Sequence, residues 1–256
     1  MGLRDGYLDR HWVADNGRLE YRPRVNYFAA TRHPWPCFLF IVPLLAAYEI
    51  GVATLGSSTT SVRAGVELWL RQWLAQVGPV PPIAIPLGFL ALLILWVLWR
   101  WADRPDRVFI PVIGMAVEGA VFGVVLYALC LNAPQLLEQA GLPTASAGPT
   151  VALAITYLGV GIYEEALFRM IGFGLLSRIM RTLFIPAFGA IPIAILISAA
   201  GFALTHQLLQ TDKFAPNTFL IHAGIGIYCA LVFWLRGFGV AVGAHIVYDL
   251  IVGLPR

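Results

Sequence analysis

This chain has little charge. Only 12% of its 256 residues are Asp, Glu, Lys or Arg, while 59% are hydrophobic. A soluble domain carries about 25% charged residues. With a mean hydropathy of +0.77, the deficit excludes an ordinary soluble globule and points to a polytopic membrane protein. Lysine is nearly missing: of 17 basic residues one is Lys213 and the rest are Arg, a skew of the kind a GC-rich bacterial genome produces. The net charge of +3 is dispersed along the chain and leaves no footprint for nucleic acid. Cysteine is sparse too. Cys37, Cys130 and Cys229 lie far apart with no C-x-x-C, so neither a disulfide framework nor a zinc finger is encoded. Residues 1–36 hold six Arg, four acids and no apolar run, so they do not read as a secretory signal. H-E-x-x-H, G-x-S-x-G and G-x-G-D, the marks of zinc, serine and aspartyl membrane proteases, are absent.

What the chain does have is a succession of apolar runs. They predict an all-α, polytopic transmembrane bundle of about seven spans with interfacial helices. Residues 1–36 read as a polar head at the membrane surface, and 37–256 as a single transmembrane domain. Spans are expected over 38–56, 83–99, 108–131, 150–175, 193–209, 218–235 and 240–254. The last is short against the ~20 residues a bilayer core needs. Residues 63–77 set Val66, Leu68, Trp69, Leu70, Trp73, Leu74 and Val77 against Arg63, Glu67, Arg71 and Gln76, the pattern of an amphipathic helix lying in the interface.

The stretch 178–209 is too long for one span and contains Pro186, Gly189 and Pro192. Dividing it into a connection over 178–191 and a spanning helix over 193–209 puts Glu164 and His206 at matching depth in antiparallel helices. A helix starting at Leu183 would displace His206 by about 15 Å at ~1.5 Å per residue. Arg residues of the head, of 100–107, at 178 and 181 and at 236 fall on one side, and Arg63 and Arg71 are the exceptions. The positive-inside rule then predicts a cytoplasmic N-terminus in a bacterial cytoplasmic membrane.

Against this apolar background, polar groups recur at three places. The run from Gly161 to Arg169 carries Glu164, Glu165 and Arg169. An Asp, Lys or Arg at a helix centre costs about 2.5–3.5 kcal/mol even on the lenient insertion scale. Adjacent helical residues point about 100° apart, so Glu164 and Glu165 do not face one partner equally. Glu165 and Arg169 are i and i+4 with Glu N-terminal, the better orientation for an ion pair. Glu164 is thereby left for chemistry. His206 follows Phe202 at i+4 in a helix rich in Ser, Ala and Gly, residues that let helices pack closely. His245 and Asp249 are again i and i+4. A single intramembrane His more often bonds a neighbouring helix than performs chemistry, but three such sites on three helices shift the balance. His222 has no such partner in the sequence and reads as packing or a helix–helix hydrogen bond. Glu49 and Glu118 carry no role, and His11 and His33 read as solvated.

Glu164-Glu165-x-x-x-Arg169, Phe202-x-x-x-His206 and His245-x-x-x-Asp249, in this order and in apolar helices, resemble the three-motif pattern of the CAAX protease and bacteriocin-processing family, also called the Abi family. Its best-known members are the Ras-converting CAAX endopeptidases. The resemblance covers roughly residues 105–254. It implies a glutamate-dependent intramembrane endopeptidase that requires no metal or other cofactor. Glu164 would be the general base, His206 would help activate a water, and His245 with the residue at 249 would stabilise the oxyanion. Glu165, Arg169 and Phe202 would support them. Asp249 departs from the Asn of eukaryotic members. An ionised Asp cannot donate to an oxyanion, so Asp249 is expected to bias His245 toward its donor form. The implied partners are a peptide or membrane-protein substrate and the lipid bilayer. Competing readings are a metal-dependent hydrolase drawing a His2Glu set from Glu164, Glu165, His206 and His245, a proton-coupled transporter, and a non-catalytic scaffold. No pair of broken helices marks a transport site.

Overall fold

A computed structural model describes residues 8–15, 18–55, 62–105, 107–131, 150–210 and 214–254. The all-α bundle is as expected, with one addition. Strands β1 (Leu8–Asp15) and β2 (Arg18–Val25) pair antiparallel within the polar head. They flank Asn16-Gly17, which lies outside the described residues. The helices follow as α1 (Tyr27–Ala30), α2 (Pro34–Leu55), α3 (Gly65–Ala75), α4 (Ala84–Trp99), α5 (Phe109–Leu131) and α6 (Thr150–Glu164). A π-helical stretch, Glu165–Phe173, leads without a break into α7 (Gly174–Thr182). Then come α8 (Ala187–Gln210), α9 (Pro216–Arg236) and α10 (Phe238–Gly253). The part of the predicted head before residue 8, and the 132–149 loop, lie outside the described residues.

Among the described residues, five segments are long and apolar enough to cross a bilayer: Pro34–Leu55, Phe109–Cys130, Thr150–Thr182, Ala187–Leu208 and Pro216–Arg236. The shorter apolar helices α4 and α10, counted with them, give the seven expected. Helices suit this environment because all their backbone hydrogen bonds close within the segment. α10 is the most enclosed: every residue from Phe238 to Ile246 is buried. It packs along α5 at a crossing of glycines, where a Cβ added to Gly119 would lie 2.9 Å from the Gly243 Cα. A single residue, Gly237, joins α9 to α10. Its φ of 97° is one that L side chains rarely adopt.

The connection between α7 and α8 differs from expectation. It spans only residues 183–186, with Phe184 at φ 62°, and α8 starts at Ala187 with Pro192 inside it. The preceding helix also runs on to Thr182. The two changes offset each other. Glu164 lies 18 residues before Thr182 and His206 lies 19 after Ala187, so the depth match survives with different boundaries.

α3 is also turned differently. An interfacial helix shows its charges to water, yet Glu67 is fully buried while Trp69, Trp73 and Leu74 are exposed. Glu67 accepts from Tyr48 Oη at 2.6 Å, Arg63 Nη1 at 2.5 Å and Arg71 Nε at 2.8 Å. Arg63 and Arg71 belong to the same polar stripe, and Tyr48 of α2 adds a donor from inside the protein, which bare hydrocarbon cannot supply. Glu49, in turn, accepts from Tyr163 Oη at 3.3 Å and lies 3.8 Å from Arg63.

Glu118 is held by Arg236 through two bonds, at 2.6 and 2.7 Å, and by the Tyr27 hydroxyl. Burial, then Glu118, push the Tyr27 pKa up to about 12, so it stays a donor. This bidentate pair ties α1, α5 and α9 together at the level of the head. His33, expected in solvent, is buried, and its Nε2 lies 3.2 Å from the Arg100 carbonyl oxygen.

Candidate functional site

The three motif regions converge on one cavity of about 310 Å³, in the size range of small ligand sites. Glu164, Phe202, His206, His245 and Asp249 line it, and Gly65 at the start of α3 reaches its edge. Glu164 is 5% exposed. Its Oε1 lies 3.8 Å from His206 Nε2 and its Oε2 lies 3.7 Å from His245 Nε2. His245 Nε2 is in turn 3.6 Å from Asp249 Oδ2. All three separations exceed a hydrogen bond, and across such a gap a water is the natural bridge. Among the described residues, Glu164 Oε2 and Asp249 Oδ2 are buried with no hydrogen-bond partner. Orphaned buried oxygens are rare in proteins, since each costs a desolvation penalty. Both residues are among those that line the cavity.

Glu165 and Arg169 form the predicted ion pair at 3.0 Å, both side chains being fully buried. The pair does more than lower its own cost. The same Glu165 oxygen lies 2.8 Å from His245 Nδ1. A carboxylate accepts, so Nδ1 carries the proton and Nε2 is the atom turned to the cavity. Glu164 and Glu165 therefore both approach His245, but through different ring nitrogens. Arg169 also donates from Nη2 to the Gly226 carbonyl oxygen at 3.2 Å, and its guanidinium lies 4.5 Å from the centroid of the Phe202 ring. Phe202 thus supports the site by presenting a π face to a buried cation.

These contacts rest on local backbone choices. From Glu165 to Phe173 the helix widens to π bonding, with the Gly174 N–H reaching the Arg169 carbonyl. Such segments often mark functional sites. The Phe168 carbonyl receives the Ser198 hydroxyl of α8 at 2.7 Å, a donor from a neighbouring helix where no water is at hand. α9 can come this close because Gly226 has no side chain: a Cβ there would lie 2.9 Å from the Ala199 Cα.

His206 Nδ1 lies 3.1 Å from the Phe202 carbonyl oxygen. A carbonyl only accepts, so this nitrogen is protonated and Nε2 faces Glu164. His222, read from sequence as packing, lines the same cavity and stacks on His206, with ring centroids 4.5 Å apart and planes at 23°. The signal in the sequence is the stripe Thr218, His222, Ile225, Gly226 and Cys229, the buried face of α9.

Among the described residues, one grouping has metal-ligand spacing: Glu165, Cys229 and His245, all buried, offer atoms within 4.8 Å of one another. It fits a cation poorly. Arg169 already supplies the positive charge at Glu165, and His245 presents Nδ1 there as a donor rather than a lone pair.

The site is thus a buried carboxylate flanked by two imidazoles of fixed orientation inside an apolar helical bundle. Residues 146–251 match the family model described as type II CAAX prenyl endopeptidase Rce1-like. The match supports the CAAX protease family that the motifs resemble, and the long apolar helices support an integral membrane protein. The match takes in all three motifs and His222, and leaves out α2 to α5. No curated protein and no solved structure matches the chain.

Proposed function

We propose that this chain is a glutamate-dependent intramembrane endopeptidase in which Glu164 is the general base. The observation that carries the reading is the position of Glu164: a buried carboxylate with its two oxygens 3.8 and 3.7 Å from two imidazole nitrogens, spacings suited to one intervening water. Glu164 takes a proton from that water while His206 Nε2 accepts its second hydrogen. The oxygen adds to the scissile carbonyl carbon. The oxyanion that forms is stabilised by His245 Nε2 in its protonated form, which Glu165 at Nδ1 and Asp249 beside Nε2 favour. The C–N bond then breaks, and the proton held by Glu164 passes to the departing amine. An oxyanion donor in a water-poor site contributes about 2.7–4 kcal/mol to catalysis.

No step in this scheme needs a metal or other cofactor. The substrate is a peptide or membrane-associated protein, and the distribution of Arg supports a cytoplasmic N-terminus. The test uses purified protein in detergent and an internally quenched farnesylated CAAX peptide, with an unprenylated peptide alongside. Wild type is expected to cleave in the presence of EDTA and phenanthroline, and Glu164→Gln is expected to be inactive with an unchanged melting temperature. Chelator-sensitive cleavage restored by zinc would replace this reading with a metal hydrolase. Cleavage by Glu164→Gln would remove Glu164 as the base.

A further inference from the structure

Three histidines share one arrangement here, although the motifs name only two. His206 donates Nδ1–H to the Phe202 carbonyl, and His245 donates Nδ1–H to Glu165. His222 does the same: its Nδ1 lies 2.8 Å from the Thr218 carbonyl oxygen. Because a backbone carbonyl only accepts, the neutral His222 ring is fixed with its proton on Nδ1 and its lone pair on Nε2. The residue is 3% exposed and lines the cavity with Glu164, His206, His245 and Asp249. Its face-to-face stack on His206 rules out a hydrogen bond between the two rings, since in that arrangement neither nitrogen points at the other. The His222 Nε2 lone pair is therefore available to a donor other than His206.

A peptide entering such a site brings one N–H per residue, each stripped of water and in need of an acceptor. In the scheme above Glu164 and His206 face the water, and Asp249 lies beside His245 Nε2 at 3.6 Å, which leaves His222 as the neutral acceptor on the remaining wall. We propose that His222 is a substrate-binding group whose Nε2 accepts a backbone N–H of the bound peptide, holding the scissile carbonyl against Glu164. This rests on the peptidase reading above. It adds a fixed acceptor on α9 to a site whose other groups lie on the Glu164 helix, α8 and α10.

Two substitutions separate this role from packing. Phe at 222 keeps a flat ring to stack on His206 but has no acceptor. Gln at 222 loses the ring but can present an amide oxygen near the Nε2 position. Cleavage of the quenched farnesylated CAAX peptide is measured for both, with melting temperatures as the check on folding. His222→Phe is expected to lower kcat/KM about tenfold, mainly through KM, and His222→Gln to recover to within about threefold of wild type, the scale of one lost hydrogen bond. A stacking role predicts the opposite order, so wild-type kinetics for Phe, or a Gln variant worse than Phe, overturns the proposal. Glu164→Gln is run beside them. If it is inactive while Phe at 222 is silent, only the His222 role fails. If wild type leaves the peptide uncut or Glu164→Gln cuts it, the peptidase reading has failed first.

Discussion

Removing Arg169 tests the reasoning most directly, because that side chain joins three elements at one point. Arg169 and Glu165 are both fully buried and 3.0 Å apart. Arg169→Met keeps the volume and removes the charge, leaving the Glu165 carboxylate with His245 Nδ1–H as its remaining partner. Breaking a buried pair from one side costs about 3–5 kcal/mol. The Gly226 carbonyl loses its donor and the Phe202 ring its cation, but these losses overlap with the first, so a total of about 4 kcal/mol is expected. In the double variant Glu165→Gln/Arg169→Met no charge is orphaned, and the Gln oxygen still accepts from His245 Nδ1. The double variant should therefore be more stable than Arg169→Met alone, by about 2 kcal/mol. The assay is unfolding in mixed micelles with increasing SDS, followed by far-UV circular dichroism. An Arg169→Met variant within about 1 kcal/mol of wild type would falsify the claim that the pair is buried and coupled. A double variant less stable than the single would contradict the orphan-charge account.

Other outcomes follow from the same geometry. Asp249→Asn should keep substantial cleavage activity, since Asn still faces His245 Nε2, whereas His245→Ala should lose nearly all of it; rates on the quenched peptide decide, and the opposite ranking refutes the roles given to the pair. Gly119→Leu should cost about 1–3 kcal/mol by overpacking, and it should reduce activity as α5 pushes away the helix that carries His245; SDS unfolding and cleavage rates check both. Tyr48→Phe removes a donor from the buried Glu67, for a loss of about 1–3 kcal/mol, and hydrogen exchange over residues 65–75 should quicken. Unchanged exchange there would mean that α3 is held by something other than its inward polar face.

The span positions and the four central residues are legible in the sequence because both signals are local. Twenty apolar residues mark a span whatever packs against it, and an i, i+4 spacing places Glu165 beside Arg169 or His245 beside Asp249 within one helix. What the sequence hides is set by distant partners. The Glu165 contact with His245 joins residues 80 positions apart, and Glu118 meets Arg236 across 118. The orientation of α3 is hidden for a different reason: amphipathicity gives the angle of a stripe but not its sign, and in lipid the polar stripe of a helix can be the one that turns inward. His222 is hidden because no partner at helical spacing announces it; its neighbour in the cavity is a ring on another helix.

The helices that carry the motifs are seated on helices that carry none. α10 meets α5 backbone to backbone at Gly243 and Gly119, and Gly65 of α3 reaches the edge of the cavity. Both supports precede residue 146, where the family match begins. A fragment starting there would contain every motif side chain and still lack the surface that α10 rests on. The heritable signature of this site is therefore shorter than its folding unit. Recombination that transplanted only the signature would carry over the reacting groups without the scaffold that aims them.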